Sequence, residues 1–147
     1  MTSSNLGLEA RSPSGERAVT DYSYDAVGNL LKIANGDGAV AYSYDALDRP
    51  IEAKQTFAGK TYAVAYAYDA VGNRTAMKTP WGDFNYTYDA LNRLTGLVNP
   101  QGITVGFKYD AAGRRVKKTI FKTAPALLAE TDYAYDAAGQ LLSTRPA

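Results

Sequence analysis

The stretch Tyr22-Ser23-Tyr24-Asp25-Ala26-Val27-Gly28-Asn29 decides the fold, because the chain writes it six times. The later copies are YSYDALDR at 42–49, YAYDAVGN at 66–73, YTYDALNR at 86–93, FKYDAAGR at 107–114 and YAYDAAGQ at 133–140. Their Tyr-Asp pairs are Tyr24-Asp25, Tyr44-Asp45, Tyr68-Asp69, Tyr88-Asp89, Tyr109-Asp110 and Tyr135-Asp136, spaced by 20, 24, 20, 21 and 26 residues. Eleven of the twelve tyrosines lie inside these copies, and only Tyr62 lies outside. Self-similarity at so steady a period is the signature of a repeat architecture.

One copy can be read for its stereochemistry. Asp25 followed by Ala26, Val27 and Gly28 fits a type I turn, with an Asp side chain accepting backbone N–H bonds at its start. The fourth residue would take a left-handed conformation and close a three-residue hairpin connection with a G1 bulge. That position holds Gly28, Asp48, Gly72, Asn92, Gly113 and Gly139. All six belong to the types that tolerate positive φ.

Counting back from each Asp, positions one, three and five are bulky: Tyr24, Tyr22 and Thr20, then Tyr44, Tyr42 and Val40, and so on. The residues between them are small or polar, such as Ser23, Ser43, Ala67 and Thr87. Period two with one aromatic face predicts a β-strand entering each turn. Return strands begin near Asn29, Arg49, Asn73, Arg93, Arg114 and Gln140, placing Leu31, Ile33, Ile51, Met77, Leu97, Val116 and Leu142 on a common parity. Turn chemistry marks the opposite strand ends at Asn35-Gly36-Asp37-Gly38, Ala58-Gly59-Lys60, Pro80-Trp81-Gly82-Asp83 and Asn99-Pro100-Gln101-Gly102. The expected fold is all-β: an antiparallel meander of β-hairpin repeats forming one curved strip. Residues 1–16 read as a loose lead-in, and 17–147 as six repeats in a single domain.

Composition narrows the chemistry. The 147 residues include no cysteine and no histidine, and their formal net charge is +1. Disulfide frameworks, thiolate or imidazole metal sites and triads with a His base are thereby excluded. The charge balance argues against nucleic acid, whose binding needs a basic excess. No run approaches the length of a membrane-spanning helix, and Met1–Ala18 lacks the pattern of a signal peptide. Leu, Ile, Val and Phe number only 28, against 24 Ala and 12 Tyr. Tyrosine therefore has to supply much of the packing, and a thick two-layer core is not expected.

The Tyr-Asp copies resemble the YD repeats of the Rhs family, found in bacterial polymorphic toxins, in the C component of Tc toxins and in teneurins. The resemblance covers roughly residues 20–145 and implies a β-strip that spirals into a hollow shell, which in toxin members encloses a C-terminal toxic domain. It also implies an exported or cell-surface setting. Two features depart from the family: its Gly-Arg-Leu ending survives only in parts, as Asn92-Arg93-Leu94 and Gly113-Arg114-Arg115, and no Asp-Pro pair occurs, so the shell-closing DPxGL signature is missing. Six repeats then correspond to a piece of wall, whose partners would be other YD repeats and, by resemblance, an enclosed toxin domain.

Other functions were weighed on the same residues. Tyrosine rows can stack on sugars, but regular placement in every copy favours cross-strand packing. Trp81, the one Trp, breaks the pattern in a turn and is the candidate surface contact for a glycan. Asn35-Gly36-Asp37-Gly38 offers too few oxygens for calcium and is a standard hairpin turn. The motif aspartates have a turn-capping task, only Glu9, Glu16, Glu52 and Glu130 remain as glutamates, and no nucleophile–base pair or phosphate loop is present, so neither an enzyme nor a cofactor is expected. Arg114, Arg115, Lys117 and Lys118 read as a solvated edge or rim. The strand ends near 17–24 and 140–145 carry unpaired backbone and predict edge-to-edge self-association.

Overall fold

A computed structural model describes residues 10–11, 17–122 and 127–146. It is all-β. Two short strands, β1 (Ala10–Arg11) and β2 (Arg17–Ala18), pair with each other. The twelve that follow are β3 (Asp21–Tyr24), β4 (Leu30–Asn35), β5 (Gly38–Tyr44), β6 (Pro50–Phe57), β7 (Lys60–Tyr68), β8 (Arg74–Thr79), β9 (Gly82–Tyr88), β10 (Leu94–Val98), β11 (Ile103–Tyr109), β12 (Arg115–Lys122), β13 (Leu127–Tyr135) and β14 (Leu141–Pro146). Sheet order follows chain order, the pattern that short connections between antiparallel strands produce. The first sheet strand begins at Asp21 and not at residue 17, since Arg17–Ala18 is taken up by β1.

The chain divides into two compact units, residues 1–66 and 67–147, with the boundary inside β7. In the first unit, cross-strand partners line up Tyr22, Ile33, Val40, Gln55 and Tyr62 on one face, with Tyr42, Ala53 and Val64 beside them. The other face carries Ser23, Lys32, Ala41, Lys54 and Ala63. In the second unit the same division recurs: Tyr86, Leu97, Val105, Ile120 and Ala129 lie opposite one another, while Gly96, Gly106, Thr119 and Glu130 share the reverse face. No described residue is fully buried, so neither unit contains a closed core. Packing is two-dimensional, made of neighbour pairs worth about 0.2–1 kcal/mol each.

Register differs from the sequence reading at one recurring place. Tyr24 pairs with Leu30 and Ser23 with Lys32, so Leu31 is an extra, unpaired residue. Ile51, Thr95, Val116 and Leu142 are skipped in the same way. Leu31, Ile51, Val116 and Leu142 are thus bulge residues and not members of the paired row formed by Ile33, Met77 and Leu97. The cause is geometric: a bulge six residues after the Asp, seen in five of the copies, raises the local twist and re-aims the strand that leaves the turn.

The far-end turns obey their own local rules. Ala58 and Gly59 both have positive φ, as a two-residue hairpin of the primed type requires. Asn99 repeats the motif turn without its tyrosine: its Oδ1 accepts the N–H groups of Gln101 (3.0 Å) and Ile103 (2.8 Å), and Gly102 has φ 74°.

Candidate functional site

Each motif Asp is the hub of its turn. In the first copy, Asp25 Oδ1 accepts the N–H groups of Val27 (3.0 Å) and Asn29 (2.8 Å), while Oδ2 accepts the Asn29 Nδ2 (3.0 Å). The backbone closes the same loop twice, by Gly28 N–H to the Asp25 carbonyl (3.3 Å) and Asp25 N–H to the Asn29 carbonyl (2.9 Å). Asp45, Asp69 and Asp89 make the same set, with Arg Nε in place of the amide at Arg49 (2.7 Å) and Arg93 (2.7 Å). Asp110 holds Arg114 through both N–H and Nε, and Asp136 accepts the Gln140 N–H at 2.8 Å. The fourth-position residues Gly28, Asp48, Gly72, Asn92, Gly113 and Gly139 all have positive φ, with Asp48 at 57° and Asn92 at 59°.

These bonds act on the charged form of the carboxylate. Asp45 is held below its ordinary value first by the Arg49 side chain, and Asp69 first by the Asn73 side-chain amide. Backbone N–H groups of Arg93 and Arg114 lead for Asp89 and Asp110. At Asp25 desolvation pushes upward, and the N–H donors of Asn29 and Val27 outweigh it. Carboxylates stabilised as anions by fixed donors are poor general acids and bases, because their lone pairs are already committed.

In four of the copies the residue four after the Asp also reaches the next copy, a role that the sequence reading missed. Asn29 Nδ2 donates to Asp48 Oδ1 (2.8 Å), and Asn73 Nδ2 to Asn92 Oδ1 (2.9 Å). Where the next copy has Gly at its fourth position, the longer Arg is used: Arg93 Nη1 reaches the Asp110 carbonyl (3.2 Å) and Arg114 Nη1 the Asp136 carbonyl (3.4 Å). Those guanidinium groups lie over the next tyrosine ring, Arg93 over Tyr109 at 4.8 Å and Arg114 over Tyr135 at 4.9 Å. The signal was present in the alternation GN, DR, GN, NR, GR, in which Asp48 and Asn92 each follow a copy that ends in Asn.

In four of the copies the tyrosine before the Asp completes the lock. Its hydroxyl donates backwards to the carbonyl five residues past the preceding Asp: Tyr44 to Leu30 (2.8 Å), Tyr88 to Arg74 (3.0 Å), Tyr109 to Leu94 (2.7 Å) and Tyr135 to Arg115 (2.8 Å). Partial burial raises the pKa of the Tyr88 phenol, which keeps the donor proton in place.

Two further candidate regions fall differently. Trp81 sits in its turn at 73% exposure, with its backbone N–H donating to Thr79 Oγ1 (3.2 Å). The basic cluster is no edge: β12 lies between β11 and β13. Arg115 stands over both the Phe107 ring (5.4 Å) and the Tyr133 ring (4.9 Å), and Lys117 is paired with Glu130 and with Asp132 (3.2 Å). Cross-strand partners consume this charge because the strand has a neighbour on each side. A depression of about 210 Å³ lies in the first unit between Ile33–Val40 and Gln55–Phe57, and its lining is mainly apolar. Among the described residues no cluster of three acidic side chains could hold a metal ion.

The turn lock is thus a device that joins repeat to repeat. The sequence model of the teneurin YD-shell family matches residues 7–123. The chain belongs to that family. The chain is also similar in fold to solved structures: TcdB2-TccC3-Cdc42 superposes with a TM-score of 0.76 at 20% identity over 88% of this chain. TcdB2-TccC3 without its hypervariable C-terminal region gives a TM-score of 0.73 at 21% identity. The Tc holotoxin pore of Photorhabdus luminescens gives 0.52 at 12% identity over 96% of the chain. At these identities the likeness is one of fold. The YD-shell chain spans only 7% of the first two neighbours and 10% of the third. No curated protein matches it.

Proposed function

We propose that the chain is a non-enzymatic wall module, a run of YD repeats whose work is to surround or present another domain, such as a toxin. One observation carries the reading: the conspicuous groups of the motif are spent on structure. The Asp oxygens hold the turn, the Tyr hydroxyls hold the preceding repeat, and the Asn and Arg side chains hold the following one. That leaves, among the described residues, a surface whose motif groups are committed to the repeat lock. Family membership supports an exported or extracellular setting and partnership with other repeats.

The test lies in the coding sequence around this chain and in the protein it specifies. Further Tyr-Asp repeats followed by an unrelated C-terminal domain are expected. In that protein the C-terminal domain should resist protease until the repeats unfold. A downstream domain cleaved at the rate of the free domain would refute enclosure.

A second reading, adhesion to a glycan surface, rests on the exposed indole of Trp81. A glycan array followed by Trp81 fluorescence titration tests it, and a Trp81→Ala variant that retains all binding would remove it.

A further inference from the structure

The far-end turn Asn35-Gly36-Asp37-Gly38 takes no part in the repeat lock, and its own chemistry sets it apart. Asn35 is the only one of the seven asparagines that is followed by glycine; the others precede Leu6, Leu30, Arg74, Tyr86, Arg93 and Pro100. A side-chain amide carbon is an electrophile, and the backbone nitrogen of the next residue is the nearest nucleophile. Glycine leaves that nitrogen uncrowded.

Each reacting atom is also free in the fold. The Gly36 N–H has no acceptor among the described residues, and a Cβ built on Gly36 meets nothing within 4 Å. After other asparagines the nitrogen is engaged or lacks its proton: Arg93 N–H donates to Asp89 Oδ1 (3.0 Å), Leu30, Arg74 and Tyr86 belong to strands β4, β8 and β9, and Pro100 has no N–H. The leaving nitrogen differs in the same way. Asn35 Nδ2 has no hydrogen-bond partner among the described residues. Asn29 Nδ2, by contrast, donates to Asp25 (3.0 Å) and Asp48 (2.8 Å), and Asn73 Nδ2 to Asp69 (2.9 Å) and Asn92 (2.9 Å). Asn35 Oδ1 accepts the N–H groups of Asp37 (3.0 Å) and Gly38 (3.1 Å), which draw charge away from Cγ. Asn35, Gly36 and Asp37 are all exposed, so water reaches the site.

We infer that Asn35 is a site of spontaneous deamidation, a self-modification of this hairpin tip. Solvent base removes the Gly36 N–H proton, and the nitrogen attacks Asn35 Cγ. The Cγ–Nδ2 bond breaks, ammonia leaves with a proton from solvent, and a succinimide remains. Water then opens the ring, giving aspartate by addition at the side-chain carbonyl and isoaspartate by addition at the main-chain carbonyl. One water is consumed, one ammonia is released, and a neutral amide becomes a carboxylate. Aspartate keeps an acceptor oxygen for the Asp37 and Gly38 N–H groups. Isoaspartate adds a methylene to the main chain beside the Asn35–Gly38 pair. Gly38 cannot shift to absorb it, because a Cβ built there would lie 2.2 Å from the Thr56 carbonyl oxygen. The pair therefore opens in that product. None of this depends on what the wall encloses.

The test is to incubate the chain in warm, mildly alkaline buffer, folded and in urea, and to follow it by anion exchange and mass-spectrometric peptide mapping. Closing the succinimide ring requires the Asn35 side chain to leave its two hydrogen bonds, so the folded chain should convert about thirtyfold more slowly than the unfolded one. Reaction only through global unfolding would slow it by more than about a thousandfold. In the folded chain, conversion should fall on Asn35, give both products and quicken as pH rises. Gly36→Ala places a methyl at an open site outside the left-handed region, so it should keep the wild-type melt and lower the rate severalfold. Slowing of up to about a hundredfold, confined to Asn35, upholds the proposal. A larger slowing, equal conversion at Asn29 or Asn73, or a folded Gly36→Ala chain that converts at the wild-type rate would overturn it.

Discussion

Replacing Gly113 separates backbone strain from every other effect in a motif turn. Its φ is +79°, and a Cβ built there meets nothing within 4 Å. Sterically the site is open, so any cost of a larger residue comes from the left-handed backbone alone. Valine, branched at Cβ, should lose about 1–3 kcal/mol there. Asparagine occupies the equivalent place as Asn92 at φ 59°, so Gly113→Asn needs a backbone change of roughly 20° and should cost under about 1 kcal/mol. The stiffer unfolded chain offsets part of even that. For a chain of this size each kcal/mol moves the melting temperature by roughly 2–4 °C, so Gly113→Val should melt about 2–12 °C lower. Far-UV circular dichroism melts, with guanidinium titrations to confirm an unchanged slope, make the comparison. Val and Asn variants melting together would show that the fourth position carries no conformational demand, and the turn assignment would fail.

Other outcomes follow from the same bonds. Tyr109→Phe should cost about 1 kcal/mol through loss of the bond to Leu94, and Tyr44→Phe a similar amount through loss of the bond to Leu30. In a double-mutant cycle, Asn29→Ala and Asp48→Ala should show a coupling of about 0.5–1 kcal/mol, and additive losses would deny the contact between copies. Acid stability has a definite sign: Asp25, Asp45, Asp69, Asp89 and Asp110 all titrate below the ordinary value when folded. Their contribution is therefore complete above the unfolded value of about 3.9 and is lost as pH falls through the folded values. The melting temperature should hold from neutral pH to about 5 and drop below about 4. A decline beginning above pH 6 would contradict this. Lys117, raised by Glu130 first and Asp132 second, contributes stability below its ordinary value that is lost only at strongly alkaline pH.

The strands were legible in the sequence because tyrosines at alternate positions can serve only one local geometry. The turns were legible for a similar reason, since Gly, Asp and Asn at one fixed offset answer one φ requirement. The bulges at Leu31, Ile51, Val116 and Leu142 were not, because a bulge residue can be as apolar as its paired neighbours and shifts parity without a compositional mark. Nor was the reach of Asn29 and Arg93 into the next copy. That contact joins residues 19 and 17 positions apart, and it needs the sheet register before side-chain length becomes informative. The basic cluster was misjudged as a rim for the same reason: charges on a strand look solvated until the neighbouring strands supply Tyr133, Glu130 and Asp132.

The central claim is that each Tyr-Asp copy is a hydrogen-bonded turn closing one hairpin of a wall, and amide hydrogen exchange tests it most directly. The amides of Asp45, Asp69, Asp89 and Asp110 each donate to a carbonyl four residues on, at 2.9–3.0 Å. They should exchange slowly, at rates set by unfolding, while Ala46 and Ala90 at the turn tips exchange within seconds. That contrast, repeated at the spacing of the Tyr-Asp pairs, is the result the account predicts. Fast exchange at the four aspartates, or protection that ignores the repeat spacing, would contradict it.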